Sequence, residues 1–297
     1  MMIRNRSNVL LPLVALAFAV AATVPAGTQS GVEKTLFISV LDESGKPVKD
    51  MTAADLRVRE DGVDGDVMAL KPATGPQFVS LLADTTPGAE AYVSDIRKAY
   101  SAFVRRIFAA NPESQVSLME FGQAAVTITP FTKSAEDLDK GINTLFPKPR
   151  SGSVLLEAII ASANELAKRQ SQRRAIVSLN MEPSDEQSHQ DAKKLDDALR
   201  RSGIQLWALS LQKGPASNSK RDLVLNELTK RTGGRRDIIV AQSAIDTYLA
   251  RYADALTSQY EMTYRVGNSS KVAQVVQTGT TRPGVKVHAS LYPLQKP

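Results

Sequence analysis

Five short apolar runs, at residues 78–83, 115–119, 175–179, 204–209 and 237–240, alternate with segments of helical periodicity. That alternation leaves few folds open. Each run is continuous rather than every-other-residue, as in strands covered by helices on both faces. Between the runs, Ile96, Ala99, Phe103, Val104, Ile107 and Phe108 fall on one helical stripe, and Leu155, Leu156, Ile159, Ile160, Ala163 and Leu166 on another. Ser134 with Asp137 reads as a capping box opening a helix along Leu138, Ile142 and Leu145, stopped by Pro147. Leu195, Ala198 and Leu199 mark a fourth helix, and Ser243 with Asp246 caps a last one through Ile245, Leu249 and Leu256. The expectation is an α/β domain over residues 76–258, doubly wound around a mostly parallel sheet with helices on both faces.

The flanks follow a different period. Leu36 to Leu41 runs into the turn Asp42-Glu43-Ser44-Gly45-Lys46-Pro47, and Leu56-Arg57-Val58-Arg59 alternates before Asp61-Gly62, a hairpin-type turn. Residues 71–75 read as a linker. After Ser258, Tyr260, Met262, Tyr264 and Val266 alternate with polar residues, as do Val285, Val287, Ala289 and Leu291. These two segments are expected to pair as a C-terminal hairpin within residues 259–297. An isolated hairpin is marginal in water, so it should join the strands of segment 27–75 in one small antiparallel module.

Arg4 and Arg6, the apolar run from Val9 to Val24, and Val24-Pro25-Ala26 before Gly27 have the form of a secretory signal over residues 1–26. The run is short for a full membrane span. Cleavage after Ala26 would give a periplasmic or secreted product of roughly 270 residues with no stable membrane insertion. The chain has no cysteine, so lipoprotein attachment, disulfides and thiol chemistry are excluded. Its net charge of +6 falls to +4 without Arg4 and Arg6, and its basic doublets are scattered among acids. With aromatics at only 5%, the clustered basic surface and stacking rings of a nucleic-acid binder are missing.

The run Phe78-Val79-Ser80-Leu81-Leu82-Ala83 stops on Asp84, followed by Thr85, Thr86 and Pro87-Gly88. A parallel strand ending this way delivers a carboxylate to the carboxyl edge of the sheet, where open α/β folds place ligands. An acid beside hydroxyls is a donor set for a hard cation such as Mg²⁺ or Ca²⁺. The bland reading of the same residues is turn or helix N-cap hydrogen bonding, and the residues favour it.

The order of these segments resembles the von Willebrand factor type A domain, and more closely a group of exported bacterial proteins built around one. The resemblance rests on Val40-Leu41-Asp42-Glu43-Ser44-Gly45-Lys46-Pro47-Val48 and on Asp55-Leu56-Arg57-Val58-Arg59-Glu60-Asp61-Gly62. It also rests on Leu228-Thr229-Lys230-Arg231-Thr232-Gly233-Gly234 and on the closing strand Gln259-Tyr260.

The resemblance implies a metal-ion-dependent adhesion site. Its donors are an Asp-x-Ser-x-Ser loop, a Thr on a second loop and the Asp of a Thr-Asp-Gly loop, with one position left for a partner's carboxylate. Aligned residue by residue, Asp84, Thr86 and Ser153 keep an oxygen, whereas Gly88 and Met181 do not. The implied site is degenerate, with Glu182, one residue beyond Met181, as a possible substitute acid and Asp185 further along. No cofactor is expected, a divalent cation being the one candidate.

Signs of catalysis are sparse. The only histidines are His189, in an acidic and Gln-rich run, and His288, on the polar phase of its strand and expected to face solvent. Thr232-Gly233-Gly234 reads as a helix C-cap and Trp207 as core. With no cysteine and no convergent histidines, a nucleophile–base pair has few candidates. The expected function is a non-catalytic exported adhesion or scaffold module that binds a protein through the loops around Asp84, Gly122, Ser153 and Glu182. The alternative is an exported binding protein for a small anion, or an accessory subunit of an envelope complex, using the same crevice.

Overall fold

The computed structural model describes residues 32–215, 219–267 and 273–292. The signal segment lies outside the described residues. Two sheets divide the chain, and the smaller one is made from both of its ends. β1 (Glu33–Asp42), β2 (Leu56–Glu60) and β3 (Val63–Pro72) come first; β10 (Tyr260–Arg265), β11 (Val276–Thr280) and β12 (Val285–His288) come last. They order as β11-β2-β3-β10-β1-β12, all antiparallel. The polar residues of the terminal motifs hold this sheet together. The Asp42 carboxylate closes its turn by accepting from Ser44 Oγ at 2.7 Å and from the Lys46 N–H at 2.9 Å. Buried Glu60 accepts from Lys34 Nζ and from the Tyr264 hydroxyl, both at 2.6 Å.

Between these strands lies the doubly wound domain. β4 (Phe78–Ala83), β5 (Gln115–Glu120), β6 (Val126–Thr132), β7 (Arg174–Glu182), β8 (Gln205–Gln212) and β9 (Arg236–Ile239) order as β6-β5-β4-β7-β8-β9. Every pairing is parallel except β5 with β6. Because successive strand side chains point to opposite faces, Val79, Leu81, Val116, Val177 and Leu209 go one way. They pack under α1 (Val93–Ala110), α2 (Ala135–Asn143) and α6 (Ile245–Thr257). Leu82, Met119, Ile176, Leu206 and Ala208 go the other way, under α3 (Leu155–Ala167), α4 (Ala192–Ser202) and α5 (Ser219–Arg231). This two-faced burial explains the uninterrupted apolar runs.

Several expectations need correction. β10 and β12 do not pair with each other; β1 lies between them, so the C-terminal segments interleave with the N-terminal one instead of forming a hairpin. The expected linker at 71–75 is partly strand, since β3 continues to Pro72. Ser243 makes no cap: α6 is entered through a 3₁₀ turn, and its N-terminal Ala244 has no side-chain cap. Ser134 does cap α2, accepting from the Asp137 N–H at 3.1 Å.

His288 is not solvent-facing. Its ring stacks on Trp207 with centroids 6.1 Å apart, and Nδ1 lies 3.1 Å from the Gly234 carbonyl. The Thr-Gly-Gly segment shows why small residues stand there. A side chain on Gly234 would meet the Leu206 carbonyl at 1.8 Å, and Gly233, at φ +74°, presses on the Ala289 backbone.

The two modules meet at a polar seam at the amino end of the parallel sheet. Gln259, the first residue of the closing motif, donates to Gln205 Oε1 at 2.8 Å. Arg173 donates to Gln259 Oε1 at 3.2 Å, to the Leu256 carbonyl at 2.9 Å and to the Gly75 carbonyl. Burial lowers the Arg173 pKa to about 10.

Candidate functional site

At the opposite end of the sheet, β4, the loop before α3 and the loop after β7 bring the sequence candidates together. Asp84 follows β4 directly and is 2% exposed. Its Oδ1 accepts from the Thr86 N–H at 2.9 Å and the Thr86 hydroxyl at 2.6 Å, a local turn that aims the other oxygen inward. That oxygen, Oδ2, accepts from the Met181 N–H at 2.8 Å. Thr86 thus spends its hydroxyl on Asp84. The Met181 side chain belongs to the apolar core, and only its main chain serves the site.

The second loop is stitched to the third. Ser153 donates its N–H to the Asp185 carbonyl and accepts from the Gln187 N–H, both at 2.7 Å. Its hydroxyl donates to Glu186 Oε2 at 3.0 Å. Glu182 ends β7, ahead of a cis peptide bond to Pro183. Gly122 closes the fourth side, donating its N–H to Thr85 Oγ1 at 3.1 Å.

The residue that organises this centre was not singled out in the sequence. Arg221, on the first turn of α5, has no solvent exposure. Its Nη1 donates to Ser153 Oγ at 3.0 Å and lies 3.7 Å from Glu186 Oε2. Nη2 lies 3.7 Å from Asp84 Oδ2, and Nε lies 3.1 Å from Glu182 Oε1. The signal existed in the pattern: Arg221, Leu225 and Leu228 are spaced i, i+4, i+7, so the one basic residue stands on the buried stripe of its helix. Burial raises the pKa of Glu182 and of Glu186. Arg221 opposes this at both, and the Ser188 and Ser153 hydroxyls oppose it at Glu186.

The set does not fit a divalent metal. A hard cation needs several oxygens at about 2.0–2.6 Å around a common point. Here Asp84 and Ser153 face a guanidinium, Thr86 faces Asp84, and Met181 and Gly88 offer no side-chain oxygen. Among the described residues no group of three or more His, Asp or Glu side chains could hold a metal ion. The cavity beside Asp84 measures about 10 Å³, so a small-anion pocket has no room there.

The rim of this closed centre is open to solvent. The loop between α2 and α3 is tied down by the Lys148 N–H, which donates to the Thr85 carbonyl at 2.7 Å. It presents Phe146 at 58% exposure, with the Arg97 guanidinium 4.4 Å from the ring centroid. Pro149, Arg150, Pro183 and Gln123 are exposed around it.

A doubly wound sheet with one antiparallel edge strand and a loop-built centre at its carboxyl edge defines the class. The sequence profile of the von Willebrand factor type A domain matches residues 89–179. The fold is that of the von Willebrand factor type A domain, and the profile match falls within it. A solved von Willebrand factor type A structure from Catenulispora acidiphila is similar at a TM-score of 0.53 and 9% identity, covering 89% of this chain and 75% of that one. Proximal thread matrix protein 1 from the mussel byssus, solved with a zinc-occupied metal-ion-dependent adhesion site, is similar at 0.53 and 11%, covering 67% of this chain and 50% of that one. At such identities the likeness concerns the fold. No curated protein sequence matches the chain.

Proposed function

We propose that this chain is an exported, non-catalytic module that binds another protein through the rim of its carboxyl edge. The export signal is residues 1–26, and the binding domain spans residues 76–258 on a β module drawn from both flanks. The observation that carries this reading is Phe146, an aromatic side chain 58% exposed on a loop fixed to the Thr85 carbonyl. Held aromatic groups beside arginine are the usual anchors of protein interfaces. Asp84, Ser153 and Glu182 support the rim from below, and being buried they would not touch the partner. The likeness to type A domains supports the interaction role, because those domains serve as interaction modules.

The test is affinity capture from the envelope fraction with the mature protein and with Phe146→Ser and Arg150→Glu forms. A protein retained by the parent and lost from both variants, with unchanged melting temperatures, is the expected result. Identical capture profiles would place the interface elsewhere. N-terminal sequencing of the exported form should begin at Gly27; a product retaining Met1 and sedimenting with membranes would refute the export reading.

A further inference from the structure

We propose that the guanidinium of Arg221 is a built-in cation that replaces the divalent ion of the family's site and makes this centre metal-independent. Of the residues aligned with metal donors, Asp84 and Ser153 both address Arg221, at 3.7 Å and 3.0 Å. Glu182, the neighbouring acid, addresses the same group at 3.1 Å. Positive charge thus reaches the inherited donors from α5, on the far side of the second loop.

A fully buried guanidinium is costly unless carboxylates and hydrogen-bond acceptors surround it. Glu182, Glu186 and Asp84 do so from two different loops, and each of those loops carries a carboxylate that would be equally costly without the arginine. The guanidinium spreads its charge over three nitrogens that lie 3.1–3.7 Å from three acids while one of them donates to a hydroxyl, an arrangement that lysine's point charge does not reproduce.

A divalent ion bound to Asp84 and Ser153 would lie within a few ångströms of the guanidinium, where like charges in a buried setting repel strongly. Arginine and metal are alternatives here. The arginine cannot dissociate, be chelated or exchange, so the three loops are held in one arrangement whatever the ionic composition outside. It also closes the centre to a partner's carboxylate, because no nitrogen of Arg221 is exposed.

This inference concerns the centre, not the rim, and its readout is stability, so its failure is distinguishable from failure of the partner-binding reading. The melting temperature of the parent protein is measured in chelator and in millimolar Mg²⁺, Mn²⁺ or Ca²⁺, and no shift is expected. Arg221→Ala should melt lower in chelator and recover with Mn²⁺ or Ca²⁺ in a dose-dependent way, with bound Mn²⁺ visible by electron paramagnetic resonance. Glu182→Gln in that background should abolish the recovery. Arg221→Lys, the safer variant for folding, should melt between the two and stay insensitive to metal.

A parent protein stabilised by a divalent ion, with the effect lost in Asp84→Asn, would overturn the proposal. So would an Arg221→Ala protein that no divalent ion stabilises, or that no divalent ion brings to the folded state.

Discussion

The main-chain N–H of Met181 donates to Oδ2 of Asp84 at 2.8 Å. The Met181 side chain lies in the apolar core, so at this position the chain gives Asp84 only its main chain. Asp84 accepts from the Thr86 N–H and hydroxyl on one oxygen and from the Met181 N–H on the other, with the Arg221 guanidinium 3.7 Å from that second oxygen. The carboxylate is a structural acceptor.

Asp84→Asn is therefore not a conservative change. An amide has one acceptor oxygen, so its NH₂ must confront either the Thr86 or the Met181 N–H. We expect a loss of about 2–3 kcal/mol in urea unfolding, reflecting a buried donor left without an acceptor. A loss within a few tenths of a kcal/mol would show that the loops relax around the amide.

Restoring the family's acid should harm this protein. Met181 is 2% exposed and its side chain lies in the apolar core, so Met181→Asp buries a charge among apolar groups. We expect a cost of about 3–5 kcal/mol and no metal response while Arg221 is present. Met181→Leu, close in volume, should cost less than about 1.5 kcal/mol. Thermal melts of the two variants with and without Mg²⁺ check both statements.

The seam between the modules depends on a fork. Arg173 reaches Gln259 and the carbonyls of Leu256 and Gly75 at once. Arg173→Lys keeps the charge and loses this geometry, with an expected cost of about 2–3 kcal/mol. Gln259→Leu should lose part of the same energy, and the double variant should cost less than the sum. Strict additivity would mean the two residues act separately.

His288 gives the protein an acid-sensitive point. Burial lowers its pKa below the ordinary 6.5, so the folded state prefers the neutral ring. Above that ordinary value neither state binds the proton, and nothing is lost. As pH falls below it the unfolded chain takes up a proton that the folded one resists, and stability drops. The raised pKa values of Glu182 and Glu186 act with opposite sign, favouring the folded state as pH falls. The contribution of His288 is therefore read as a difference. Between roughly pH 7.5 and 5.5 the parent should lose melting temperature relative to His288→Gln. Parallel pH profiles would contradict this.

The doubly wound domain was legible because both faces of its sheet are covered. The run 78–83 coincides with β4 residue for residue, β7 extends its run at both ends, and β8 begins one residue later than its run and continues three further. β6 was missed because it is an antiparallel edge strand with exposed Val126 and Thr127, so no continuous apolar run marks it. β11 was hidden in a Gly/Thr-rich stretch whose strand character comes from pairing with β2. At the centre, Asp84, Ser153 and Glu182 were found from local sequence. Arg221 was not: its stripe with Leu225 and Leu228 marks it as inward-facing, but the acids it meets lie far away in the chain.

The place of β1 carries a consequence in time. Its residues pair with 260–265 and 285–288, across the whole intervening domain. Those pairings span more than two hundred residues, contacts of high sequence separation that form slowly. Until then its free edge is an open template for other chains. A chain lacking the residues after Ser258 would keep every strand of the doubly wound sheet and still leave that edge unpaired. The small sheet thus works as a clasp, closed only when segments from both sides of the doubly wound domain meet in it.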